Sequence, residues 1–145
     1  MSSAVESLIA VGRLTRISRD RRLINQLLEH ARLHIESAEL LVGSDDSIAA
    51  FQIAYDAVRK LCAALLVHHG LRTTSRGGHH ALFECVSELS EELEEYLADL
   101  EVLRRQRNAY EYPTIASQAP SASQIQHAVA TARAISRIVS DLVGE

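Results

Sequence analysis

The sequence predicts an all-α fold, an antiparallel bundle of four to five helices, and three observations predict it. First, its 145 residues include only 2 prolines and 6 glycines, so few points punctuate the chain. Second, apolar residues make up 47% but aromatic ones only 4%, and Trp is absent. The core must therefore be aliphatic. Third, apolar residues recur every three or four positions in long segments, and no stretch shows the period of two that marks a strand. One domain over residues 1–145 is the most economical organisation. A chain of this size buries about 68–70% of its unfolded surface without staples.

Each helix has a local reason. Ser3 followed by Glu6 reads as a capping box before a short first helix. From about Arg19 to Val42, Ile24, Leu27, Leu28, Ala31, Ile35, Ala38 and Val42 form one apolar face. Gly43 stops this helix, and "SDDS" at 44–47 offers caps for the next. In the third, Phe51, Tyr55, Val58, Cys62, Leu65 and His69 alternate by four and three, and alanines beside them permit close helix approach. Gly70 caps it, and "LRTTSRGGHH" at 71–80 reads as a loop. A helix from about His79 to Leu89 breaks near Ser90, and Leu93, Leu97, Leu100 and Leu103 continue the pattern. It must end by Pro113, because proline pushes Tyr112 out of the helical region. After a loop at 114–123, Ser121 with Gln124 reads as a second capping box. Ile125, Ala128, Val129, Ala132, Ile135, Val139 and Leu142 then line the last helix.

Composition excludes some functions. A net charge of −4 opposes broad, sequence-blind nucleic-acid binding. The charge is uneven, however. Arg13, Arg16, Arg19, Arg21 and Arg22 form one basic run, and Arg104, Arg105 and Arg107 another. Lys60 is the single lysine, and Arg is the residue suited to bidentate contact with phosphate. Cys62 and Cys85 form no CxxC pair, no secretory signal is visible, and no apolar run reaches 18 residues. We expect a cytoplasmic protein in a reducing compartment, with inert thiols and no membrane association.

Several residues invite chemistry. His30 and His34 stand four apart, as metal ligands can, but no third ligand accompanies them. Two flanking histidines on a half-buried helix explain them, and no metal or other cofactor is expected. His69 falls on an apolar stripe and reads as a packed histidine, whereas His79 and His80 open a helix. Arg72 and His79 have the separation of an Arg/His pair but sit in a predicted loop. Arg107 and Glu111, four apart, read as a surface ion pair worth about 0.3–0.5 kcal/mol. Arg107 and Tyr112, five apart, diverge in a regular helix and approach only if the chain unwinds before Pro113.

In order, "ARLHIESAELL" (31–41), "AAFQIAYDAVRKLCAALLVHHGLRTT" (49–74), "GGHHALFE" (77–84) and "RRQRNAYEYP" (104–113) give the chain a resemblance to the HEPN domains of prokaryotes, over about residues 22–142. The resemblance implies a small all-α protein that dimerises. In active relatives it implies metal-independent RNA cleavage by an Arg and a His five to seven positions later. Arg stabilises charge on the phosphorus. His moves protons. Here Arg107 and Asn108 match, but the His position is Tyr112, and no His lies between Ala81 and Gln126. A phenol with pKa near 10 is a poor base at neutral pH, though it can donate a hydrogen bond.

Two functions follow. One is a homodimeric interaction or nucleic-acid-associated module with a degenerate motif. The other is a toxin-type endoribonuclease in which Arg107 holds phosphate, Tyr112 donates a hydrogen bond or a proton, and Asn108 orients the pair. Arg104, Arg105 and Tyr110 would add binding contacts. The resemblance also implies a nucleotidyltransferase-like partner, which in some paired systems modifies a tyrosine near the motif. Tyr110 and Tyr112 are the candidates, although the usual spacing from Arg107 falls on Thr114.

Overall fold

A computed structural model describes residues 2–144. The elements run α1 (Ser3–Ala10), β1 (Leu14–Arg16), α2 (Arg21–Leu41), α3 (Ser47–His68), β2 (Leu71–Thr73), α4 (Gly78–Leu89), α5 (Glu91–Glu94), α6 (Leu97–Glu111) and α7 (Ala122–Val143). Helix α3 is the centre. It packs against α2 and α7 along its length, and against α4 and α6 at the face that matters below. Its composition explains the position: Ala50, Ala54, Ala57 and Ala64 are buried, which lets neighbouring backbones come close, while Phe51, Leu61, Leu65 and Leu66 fill the core.

The caps follow the sequence with one shift. Asp20 and Asp46 cap α2 and α3 through Leu23 N and Ala49 N, at 3.1 Å each. Ser121 and Gln124 form the expected reciprocal box at α7. At α1, however, Ser2 is the cap, and Glu6 instead holds Arg16 at 2.7 Å. Arg21 donates to Val143 O at 2.8 Å and also to Gly144 O, satisfying the last carbonyls of α7.

Three expectations are corrected. The chain does contain strands: β1 and β2 pair antiparallel, Leu14 opposite Thr73 and Arg16 opposite Leu71. Three residues per strand give at most one alternation, too little for a periodic signal, so the whole 71–80 segment reads as loop although β2 opens it and α4 starts at Gly78. His69 is exposed at the C-cap of α3 rather than packed, because the helix ends one residue before it. The helical pattern through Leu93 and Leu97 is also interrupted, by a turn at Glu95–Tyr96.

The β1–β2 ribbon fixes the turn that starts α4. Ile17 N donates to Gly70 O at 2.9 Å and Thr74 N to Arg13 O at 3.1 Å. Gly77 lies so close to this strand that a Cβ there would sit 2.1 Å from Arg13 O. That partner is backbone and cannot swing away. Gly77→Ala is expected to destabilise the protein by about 1–3 kcal/mol, measured by urea unfolding. An unchanged midpoint would show that the turn yields freely.

Candidate functional site

Four elements converge on one polar cleft of about 500 Å³. Helix α3 contributes Tyr55, Asp56 and Arg59, spaced so that all lie on one side. Helix α6 contributes Arg107 and Glu111, one turn apart; α4 contributes His79 from its first turn, and α2 contributes His34. On the other side of Arg107 is a second, shallower depression, lined by Gly77, Gly78, His79, His80, Arg104 and Asn108 as well as Arg107 itself. No carboxylate lines it. Arg107 and His79 thus stand in both depressions.

His79 is held in place by Tyr55, whose hydroxyl lies 2.8 Å from His79 Nδ1. The two rings are 5.5 Å apart, and Phe83 supports Tyr55 edge-on at 6.0 Å. Burial pushes the Tyr55 phenol well above its usual range, so it stays protonated. Burial, and then the positive charge of Arg107 and Arg59, pulls His79 below the usual imidazole value. His79 is therefore neutral at neutral pH. When its proton is on Nδ1 and donated to Tyr55, Nε2 keeps a free lone pair. A neutral imidazole beside a guanidinium can accept a proton while the guanidinium holds an anion.

The cations differ in how fully they are engaged. Arg59 donates to Asp56 at 2.7 Å, and Lys60 Nζ reaches the same carboxylate at 3.0 Å. Burial works to raise the Asp56 pKa, but these hydrogen bonds outweigh it and hold the carboxyl below its usual value. Lys60 Nζ also donates to His34 Nε2 at 2.8 Å. Burial and Lys60 lower the His34 pKa, and its Nε2 and the Asp56 carboxylate, 3.2 Å apart, both accept from Lys60 Nζ. Arg107 is held more loosely, 3.5 Å from Glu111 and 3.4 Å from Asn108 Oδ1.

The residues singled out in the sequence separate. Arg107, Asn108 and Arg104 line the carboxylate-free depression, although Arg104 also bonds to Glu101 at 2.9 Å. Arg105 is exposed and lines neither depression. Tyr110 faces the bundle: its ring packs edge-on against Phe51 at 4.9 Å, and its hydroxyl donates to Gln124 at 3.1 Å. Tyr112, the C-cap of α6, is 73% exposed and lines neither depression. His30 is exposed while His34 is committed to α3, which parts that pair. Among the described residues, no three His, Cys, Asp or Glu side chains are placed to hold a metal, and no helix is long and apolar enough to cross a membrane. Both cysteines are buried, and burial pushes each thiol up to about 12.

Tyr55, Asp56 and Arg59 are cleft residues to which sequence reasoning gave no chemical role, and it paired His79 with Arg72 rather than with Arg107. "GGHH" at a helix start and the one-turn spacing of Tyr55 and Arg59 were the available signals.

The titrations have a consequence for stability. His34, His68, His69 and His79 all lie below the reference value of 6.5, so the unfolded chain binds protons more readily than the folded one. Stability is then fully present above pH 6.5 and falls as pH drops through the lowered values. Asp56, also lowered, adds a further loss in more acidic solution. The urea midpoint is expected to be lower at pH 5 than at pH 7.5, and His79→Gln should flatten part of that slope.

An all-α bundle carrying an Arg/His cleft on its central helix and its neighbours defines the class. The HEPN domain family matches residues 24–142, and the chain belongs to that family. No curated protein and no solved structure matches it significantly.

Proposed function

We propose that this HEPN protein acts on RNA at the cleft between Arg107 and His79. The observation that carries this reading is the placement of a loosely paired arginine and a neutral, Tyr55-anchored histidine on the walls of the same two depressions. Arg107, with Asn108 and Arg104 beside it, seats a backbone phosphate. His79 Nε2 takes the proton of the 2′-hydroxyl; the 2′-oxygen attacks phosphorus and the bond to the 5′-oxygen breaks. The 5′-oxygen is protonated from water, leaving a 2′,3′-cyclic phosphate and a 5′-hydroxyl. The proton-carrying role thus passes from Tyr112 to His79.

The dimer and its partners belong to the same proposal. Two copies would bring two such clefts together. Of the two tyrosines considered as acceptors for a nucleotidyltransferase-like partner, Tyr112 is the accessible one.

One observation favours a second reading, a non-catalytic interaction module: Glu111 and Asp56 already face Arg107 and Arg59 and compete with phosphate. Incubation of single-stranded RNA with the protein in excess EDTA separates the two. Cyclic-phosphate ends from wild type, retained by Tyr112→Phe and lost from His79→Ala, support the enzyme. Intact RNA with wild type supports the module.

A further inference from the structure

His79 and Arg59 have a second side. Beyond them lies another cleft, of about 480 Å³, between α2, α3, β2 and the start of α4. Its floor is apolar: Leu23, Leu27, Leu66, Leu71 and Leu82 line it, with Ala63 on the α3 wall. Leu66, Leu71 and Leu82 are buried core residues, so the floor is rigid, while Leu23 and Leu27 are only partly covered. One end is polar. Arg59 and His79 close the side shared with the phosphate cleft, and Arg72, Thr73, Thr74 and Ser75 form an edge of donors and acceptors. Arg72 has no carboxylate within ion-pairing distance among the described residues.

A ligand that fills both clefts must be amphiphilic in a particular way. It needs an apolar face for the leucines, a polar edge for the hydroxyls of β2 and the following turn, and an anion a short distance away, past His79 and Arg59. An aliphatic chain would leave the polar edge unused. We propose that this cleft seats a nucleobase, so that the protein binds a nucleotide unit of single-stranded RNA and not the phosphate backbone alone. The inference rests on the Arg107–His79 cleft as the phosphate seat. The base lies on the leucine floor, and the Arg59 guanidinium and the His79 ring are flat groups suited to stack on it. A base in a duplex is already paired and stacked, so duplex RNA is excluded from this seat.

The test compares three probes on the unmodified protein by NMR: adenosine 5′-monophosphate, ribose 5-phosphate and adenosine. The monophosphate should shift the methyl signals of Leu23, Leu27 and Leu66 together with signals of Arg107 and His79. Ribose 5-phosphate should shift only the latter two and bind about ten-fold or more weakly, since the ring burial is lost. Ala63→Phe, which fills the cleft from the α3 wall, should reduce the monophosphate to the level of ribose 5-phosphate. Equal binding of the two phosphates, with the leucine methyls unmoved, would overturn the base seat and leave the phosphate seat standing. Leucine shifts with adenosine, while ribose 5-phosphate leaves Arg107 and His79 undisturbed, would do the reverse. Absence of binding by all three would overturn both. The probe comparison does not depend on the variant, so misfolding of Ala63→Phe cannot blur it.

Discussion

Replacing Arg107 with alanine is expected to lower metal-independent RNA cleavage about 10²–10³-fold, the usual effect of removing one donor aimed at developing negative charge. The loose pairing of Arg107 underlies the size of the effect. Arg59 is committed to Asp56 at 2.7 Å, whereas Arg107 stands 3.5 Å from Glu111 and so has donors left for a phosphate. Folding should hardly change. The Arg107–Glu111 pair is a partly exposed one-turn contact, worth about 0.3–0.5 kcal/mol. Arg107→Lys keeps the charge but loses the planar fork, and should recover only part of the rate. Glu111→Gln removes the competing carboxylate and should tighten RNA binding, with a steeper loss of affinity as salt is raised. Cyclic-phosphate end formation and unfolding midpoints check these together. Full activity in Arg107→Ala would remove the phosphate seat from the reaction.

The sequence disclosed the helices more fully than the cleft, for a physical reason. A buried helical face repeats itself: Ile24, Ala31, Ile35 and Ala38 of α2 announce one another, and all four are buried. A site has no such redundancy. Tyr55 and His79 are 24 residues apart and meet only because β1 and β2 fold the 71–77 turn back onto α3. Reading along α6 alone, the histidine looked absent, and Tyr112 was its nearest substitute. In the site proposed above the imidazole is that of His79, from the first turn of α4, a helix whose glycine-rich start hid its order. The arginine was legible because it belongs to a local run; its nearness to His79 was not, because that nearness is tertiary. The short strands escaped for the opposite reason, since Leu14–Arg16 is too brief to carry any period.

Phe51 is where the stability of the bundle and the geometry of the cleft are most tightly joined, and Phe51→Ala is expected to destabilise the protein by about 3–5 kcal/mol. The ring is fully buried on α3, one turn before Tyr55. It also meets Tyr110 edge-on at 4.9 Å and 79°, a contact worth about 0.5–1.5 kcal/mol beyond burial. Tyr110 in turn donates to Gln124, which closes the cap of α7. The last turn of α6, which carries Arg107 and Glu111, is therefore tied to α3 and α7 through one aromatic pair. Removing the Phe51 ring leaves a cavity and frees that turn together. Phe51→Leu should restore most of the stability but not the edge-on contact. Tyr110→Phe, which keeps the ring and drops the hydroxyl, should cost only about 0.5–1.5 kcal/mol. Urea unfolding orders the three variants, and RNA affinity measured where each is folded tests the second half of the argument. If Phe51→Leu is as stable as expected and still binds RNA as wild type does, Arg107 is positioned by its own helix rather than by the aromatic pair.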